Sequence, residues 1–302
     1  MSEWKDPEIV AFRQVLASLL PQEGAPERSW EEQRATIDGF GAVDPPSPTA
    51  KIEVTALGGV PAERIAPAGQ TSRTILYLHG GGYCIGGPAS HRSLVARFAE
   101  AARATCFLID YRLAPEHPFP AAVDDALKAY RELTAGGADP SRLVIAGDSA
   151  GGGLSLATWM AAKAAGLPPP AALHLISPWA NVGQTGAAYA AKAKTDPVLT
   201  KDALDRFAGA YLAGKTDPKT PLASPLYGDF ADAPPILIQV GSEEVLLSDS
   251  LGVAEGASLA GGDVTLRVWP EMVHIWPFFA ANLAAGRAAI DEAAAWIREK
   301  IA

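Results

Sequence analysis

The chain has 302 residues, 48% of them hydrophobic and 20% charged, enough to bury a large core in one α/β domain or a domain with a small accessory unit. A formal net charge of −9, with no lysine- or arginine-rich run, argues against nucleic acid or an anionic membrane surface as partner. Residues 1–20 carry Glu3, Lys5, Asp6 and Glu8 in place of a continuous apolar stretch, and no run of 18 apolar residues occurs. The expectation is a cytoplasmic protein with no stable membrane anchoring.

Residues 7–20 place apolar side chains at 9, 12, 15, 16 and 19, the spacing of a helix. A polar, proline-rich stretch follows to Pro48, with Ser29-Trp30-Glu31-Glu32 as a helix start. These first 45 residues are too thin for a domain and read as an arm or a lid that packs on something else. From Lys51 the texture changes. Lys51–Ala56 alternates like a half-exposed strand, and Thr74–Leu78 and Cys106–Asp110 read as buried strands around a helix near Ser90–Ala102. The free cysteines expected from this pattern, Cys84 and Cys106, fall in or beside apolar runs. Pro120–Leu133 is a helix with early acids and later bases, matching its dipole. Leu143–Ala146 is a strand buried on both faces, Leu154–Ala165 a helix and Ala172–Ile176 the next strand. Residues 182–226 break the rhythm with helical pieces and Pro197, Pro218, Pro221 and Pro225, and read as an insertion between two strands. Ile236–Val240, a helix near Ser248–Ala260, Val264–Trp269 and a last helix over about Ala284–Ile301 complete the chain. Alternating strands and helices predict a parallel, doubly wound sheet.

Between the strand at Leu143 and the helix at Leu154 lies Gly147-Asp148-Ser149-Ala150-Gly151-Gly152. Strand, Gly-x-Ser-x-Gly, helix is the pattern of a nucleophile elbow, whose glycines leave room beside a strained serine. A serine attacks an acyl carbon only if a base takes its proton and a third group holds that base. Of the five histidines, His274 lies in a loop after the last strand and after the serine in sequence. His174 sits inside an apolar strand, and His91 and His117 precede the serine, so these three read as structural. The acid is expected after the strand ending at Gly241, with Glu244 first, Asp249 second and Glu243 third. Leu78-His79-Gly80-Gly81-Gly82-Tyr83 follows a buried strand, and its glycines suit an oxyanion hole built from the N–H groups of Gly81, Gly82 and Ala150. A phosphate cradle is the rival reading, but its glycine spacing and lysine are missing. No metal site is expected.

With His79-Gly-Gly-Gly-Tyr83, Asp110-Tyr-Arg-Leu-Ala-Pro-Glu116, Gly147-Asp-Ser-Ala-Gly-Gly152 and Ser177-Pro178-Trp179, the chain resembles the bacterial hormone-sensitive-lipase-like esterases of the α/β-hydrolase superfamily. The resemblance runs from about residue 50 to the end. It implies an α/β-hydrolase fold, a mostly parallel eight-stranded sheet flanked by helices and covered by a helical cap. The chain then divides into a helical arm over 1–45 contributing to the cap, core over 46–181, cap insertion over 182–226 and core over 227–302. The implied activity is hydrolysis of short- to medium-chain carboxylic esters without a cofactor, on a small-molecule substrate, with a homodimer through the last strand as a further expectation. Amidase or drug-ester deacetylase activity on the same scaffold, and a non-catalytic small-ligand receptor, are the alternatives. Tyr83 and Trp179 are candidates for the acyl pocket or for plain core, and Asp148 for a structural role or the alcohol side of the pocket. Arg112 and Glu116 read as loop-holding ion-pair partners. The family's acid is usually Asp in an Asp-x-Leu context, where this chain has Glu244-Val245-Leu246.

Overall fold

The computed structural model describes residues 7–19, 28–43, 46, 49–69 and 71–301. Two helices lead, α1 (Pro7–Leu19) and α2 (Trp30–Val43). The second begins on the sequence's own signal: Ser29 Oγ accepts from Glu32 N at 3.2 Å and Glu32 Oε2 accepts from Ser29 N at 2.7 Å, a reciprocal capping box. The side chains at 15 and 19, expected on the apolar stripe of α1, lie outside the described residues, whereas Ile9, Phe12 and Leu16 are buried.

Eight strands form one sheet in the order β1-β2-β4-β3-β5-β6-β7-β8. They are β1 (Lys51–Leu57), β2 (Val60–Ala66), β3 (Arg73–Leu78), β4 (Ala104–Ile109), β5 (Leu143–Asp148), β6 (Ala172–Ile176), β7 (Ile236–Gly241) and β8 (Val264–Trp269). The first three in spatial order pair antiparallel, and all later pairings are parallel. The helices are α3 (Pro88–Ala102), α4 (Ala121–Ala135), α5 (Ala150–Ala164), α6 (Ala188–Ala191), α7 (Lys201–Leu212), α8 (Leu247–Leu259) and α9 (Ala284–Lys300).

Alternation within the strands divides the core between the two faces of the sheet. Ile75, Tyr77, Val144 and Ala146 pack with Phe98 of α3 and Ile290 and Ile297 of α9. Leu76, Leu78, Leu143 and Ile145 pack on the other face with Ala126 of α4, Leu154 of α5 and Val253 of α8. A strand covered on both faces has no polar side to show, which is why these runs read as continuous hydrophobics. The segment between β6 and β7 contributes Leu204, Ala208 and Tyr211 of α7 to this second cluster. A third cluster joins Ile9, Phe12 and Leu16 of α1 to Met272, Val273 and Trp276, the residues flanking His274.

Two elements depart from the sequence reading. Strand β2 was not anticipated, because Pro61, Glu63 and Arg64 interrupt its apolar run. It pairs with β1 across Gly58-Gly59, both at positive φ, a two-residue hairpin turn of the glycine-dependent kind. Helix α5 begins at Ala150, four residues before the expected Leu154, so Gly151, Gly152 and Gly153 form its first turn. Close contact explains them: a Cβ on Gly151 would stand 1.9 Å from Leu78 O, and one on Gly153 2.2 Å from Trp179 O. Aligned registers bring the ends of β3, β5, β6, β7 and β8 to one edge of the sheet, where loops carry ligand chemistry in such folds.

Candidate active site

At that edge β5 ends and α5 begins with a single residue between them. Ser149 sits there at φ 54°, ψ −122°, a conformation an L-residue adopts only when its surroundings hold it. They do: Ser149 N donates to Ile176 O at 2.8 Å, and Ser149 O accepts from Trp179 N at 2.8 Å. A Cβ on Gly147 would stand 2.4 Å from Gly151 O, so the turn closes only around glycine.

His274 reaches this serine from the loop after β8. Its Nε2 is 2.9 Å from Ser149 Oγ, and its Nδ1 is 2.8 Å from Glu244 Oε2. All three side chains are buried. Burial by itself would lower the His274 pKa, but the hydrogen bond and charge of Glu244 outweigh it, so the imidazole is more basic than usual. The other carboxylate oxygen is also held: Glu244 Oε1 accepts from Gly241 N at 2.6 Å and Ser177 Oγ at 2.7 Å. Ser177 Oγ in turn accepts from Ile275 N at 3.2 Å, so one hydroxyl joins the acid to the residue after His274.

Beside the elbow, the loop after β3 runs through Gly81 at φ 113° and Gly82 at φ 59°. Gly81 O accepts from Cys84 N and Ile85 N, both at 3.0 Å. The N–H groups of Gly81, Gly82 and Ala150 have no hydrogen-bond partner among the described residues. An arrangement with a serine, a base on its hydroxyl, an acid on that base and free backbone donors nearby is suited to acyl transfer.

Comparison with known proteins agrees. Residues 75–278 match a family described as having the alpha/beta hydrolase fold. An acetyl-hydrolase of Streptomyces hygroscopicus is 48% identical over 246 residues, 82% of each chain. A crystal structure of an esterase from the bacterial hormone-sensitive lipase family superposes with a TM-score of 0.95 at 39% identity, over 99% of this chain and 100% of that one. The chain belongs to the bacterial hormone-sensitive lipase family of α/β-hydrolases. The esterase EstE5, in crystals soaked with p-nitrophenyl butyrate, is similarly close, with a TM-score of 0.93, 40% identity and 98% and 99% coverage.

Within this hormone-sensitive lipase fold, the other sequence candidates fall into distinct surroundings. Glu243 faces Ser242 Oγ at 2.9 Å and Lys192 at 3.8 Å. Asp249 is buried on α8, where it accepts from Ala180 N at 2.9 Å, Asn181 N at 2.8 Å and the Tyr189 hydroxyl at 3.0 Å. Burial pushes its carboxyl up to about 7 against these hydrogen bonds. Asp148 lies behind the elbow, bonded to the Tyr77 hydroxyl at 2.9 Å and 3.3 Å from His91 Nε2. His174 pairs with Gln239 Oε1 at 3.0 Å, and burial holds its pKa down to about 4. Tyr83 and Trp179 are both buried, with ring centroids 6.1 Å apart, and Tyr83 stacks on Tyr211 of α7 at 3.8 Å. Arg112 pairs with Asp125 at 2.7 Å and Glu116 with Arg34 at 2.7 Å. Cys84 and Cys106 are free and buried, and burial pushes the Cys84 thiol up to about 12. No group of three or more His, Cys, Asp or Glu among the described residues is arranged to hold a metal ion, and no described helix is long and apolar enough to cross a membrane. Sequence reasoning gave Ser177 no part in this site. Its only signal was the Ser-Pro-Trp motif, since its contact with Glu244 spans 67 positions of chain.

Proposed function

We propose that this family member is a serine carboxylesterase that hydrolyses short- to medium-chain carboxylic esters through an acyl-enzyme on Ser149. The observation that carries the reading is the unbroken hydrogen-bonded chain from Ser149 Oγ through His274 to Glu244, all of it buried. His274 Nε2 takes the hydroxyl proton as Oγ bonds to the ester carbonyl carbon. The carbonyl oxygen becomes an oxyanion that accepts from the N–H groups of Gly81, Gly82 and Ala150. Collapse breaks the bond to the alcohol, which leaves with the proton from His274. Water, deprotonated in turn by His274, repeats the attack on the acyl-enzyme and frees the carboxylic acid and Ser149. Glu244 fixes the imidazole tautomer through Nδ1 and balances the charge that forms on the ring.

Helices α6 and α7, from the insertion over 182–226, and the arm carrying α1 and α2 are assigned to a cap that limits acyl length. Tyr83 and Trp179 are assigned to the acyl side of the pocket, and Asp148 to the support of the elbow, where Tyr77 and His91 hold it. A cytoplasmic location suits two buried free thiols. A homodimer through β8 is supported by its place at the sheet edge, with one side unpaired among the described residues.

Hydrolysis of p-nitrophenyl esters from acetyl to palmitoyl tests the reading. Turnover is expected to peak at short chains and to fall about a thousandfold or more in Ser149→Ala. A peak at palmitoyl overturns the chain-length assignment, and full activity in Ser149→Ala overturns the mechanism.

A further inference from the structure

The loop carrying Gly81 and Gly82 has a shape it cannot hold alone. Gly81, Gly82 and Tyr83 lie in succession at φ 113°, 59° and 63°, and the Cβ of a left-handed tyrosine crowds its own backbone. Within the loop, Gly81 O accepts from Cys84 N and Ile85 N, and His79 Nδ1 meets Gly80 O at 2.8 Å. From outside, His91 Nε2 accepts from Gly80 N at 3.3 Å and His79 O accepts from the Tyr111 hydroxyl at 2.7 Å, and α2 and α7 add one grip on each of Gly82, Tyr83 and Cys84. The Phe207 ring lies so close to Gly82 that a Cβ there would be 2.4 Å from its Cδ1. Tyr211 stacks on Tyr83 with an interplanar angle of 5°. Arg34 Nε donates to Cys84 O at 2.8 Å, and its Nη2 donates to Ala114 O at 2.9 Å. Ala114 N donates back to Tyr83 O at 2.8 Å, so the guanidinium closes a ring of contacts around residues 83 and 84. A bidentate pair with Glu116, at 2.9 and 2.7 Å, fixes the orientation of that guanidinium.

Phe207 and Tyr211 belong to α7 and Arg34 to α2, and these two helices are joined to each other. Trp30 meets Phe207 edge-on at 5.1 Å, the Arg206 guanidinium lies 4.1 Å from the Trp30 ring, and Arg206 Nη2 donates to Arg28 O at 2.8 Å. We propose that α2 and α7 act as a clamp on the oxyanion loop, with Arg34 as the positioning residue that keeps the N–H groups of Gly81 and Gly82 free for the reacting oxygen. The inference rests on the assignment of those donors made above. It gives two cap helices a part in the chemical step beyond covering the pocket.

The experiment compares Arg34→Ala, Arg34→Lys and Glu116→Ala with the wild type, using p-nitrophenyl butyrate and inactivation by diethyl p-nitrophenyl phosphate. The phosphoryl oxygen of the inactivator uses the same donors as the ester carbonyl. Arg34→Ala is expected to lower kcat about tenfold or more, with KM within about threefold and inactivation slowed in proportion, since each oxyanion donor is worth about 10²–10³ in rate. Arg34→Lys should fall between, because one ammonium cannot span both Cys84 O and Ala114 O in the same geometry. Glu116→Ala should lower kcat less than Arg34→Ala, because the guanidinium keeps its bonds to Cys84 O and Ala114 O and loses only the half-exposed carboxylate that orients it. Melting curves check that each variant is folded, and Arg34→Lys serves if Arg34→Ala is not. A folded Arg34 variant with kcat within twofold, or with only KM raised, overturns the clamp. Ser149→Ala separates this outcome from failure of the underlying reading: if turnover survives in that variant, the mechanism itself is wrong. If it is lost while Arg34→Ala runs at full rate, the clamp alone is wrong.

Discussion

Glu244 and Asp249 are both fully buried acids beyond the end of β7, and their partners separate their roles. Glu244 meets a histidine that can share charge with it, whereas Asp249 meets two amides and a tyrosine hydroxyl. Replacing Glu244 by Gln keeps the shape but removes the charge that holds the His274 tautomer. The expected loss in kcat is about 10³–10⁴-fold, with the acid limb of kcat/KM moved to lower pH because Glu244 no longer raises the imidazole. Asp249→Asn should keep activity within about threefold. It carries a stability signature instead. The folded Asp249 pKa is raised from 3.8 to about 7, so the native state holds a proton that the unfolded chain releases. Its contribution is therefore full below about pH 4 and lost as pH rises towards 7, on the order of a few kcal/mol. Denaturant midpoints at pH 5 and pH 8 should converge in Asp249→Asn relative to wild type. An unchanged pH slope would contradict the raised Asp249 pKa, and an inactive Asp249→Asn beside an active Glu244→Gln would exchange the two roles.

The elbow depends on helix and strand meeting at less than the width of a methyl group. Gly151→Ala puts a Cβ 1.9 Å from a strand carbonyl, with no flexible side chain to move aside. A cost of about 1–3 kcal/mol or more is expected, read as a lower melting temperature and soluble yield. Gly209→Ala in α7 is the counterpart. Nothing lies within 4 Å of the added methyl, and the exposed helix should gain about 0.5–1 kcal/mol. Equal effects at the two positions would contradict this account of the helix glycines. The same contrast explains what could be read beforehand. Buried parallel strands, the Gly-x-Ser-x-Gly turn and the capping box at Ser29 are local patterns, and each was found where it was sought. Strand β2 was missed because its polar Glu63 and Arg64 are matched by Arg92 and Glu53, partners invisible to a local pattern. The Gly58-Gly59 turn was the available clue.

Across the whole molecule, the site is assembled from segments that only the sheet brings together. Ser149, Glu244 and His274 lie 95 and 30 residues apart, yet chain order and strand ends pointed to all three, and the fold sets them within hydrogen-bonding distance of one another. Ser177 and Arg34 were beyond that reasoning, since their contacts depend on how β6 and α2 are laid beside other segments. Helix α1 packs on the residues flanking His274 and α7 on the loop of Gly81 and Gly82, so segments outside the central sheet touch two of the candidate site's loops. All of this converges on one nucleophile. The most direct measurement is intact-protein and peptide mass spectrometry after treatment with diethyl p-nitrophenyl phosphate. One diethylphosphoryl group is expected on Ser149, with one equivalent of p-nitrophenol released, and neither is expected in Ser149→Ala. Label on a different residue, or an active enzyme that takes up no label, would contradict Ser149 as the acyl carrier.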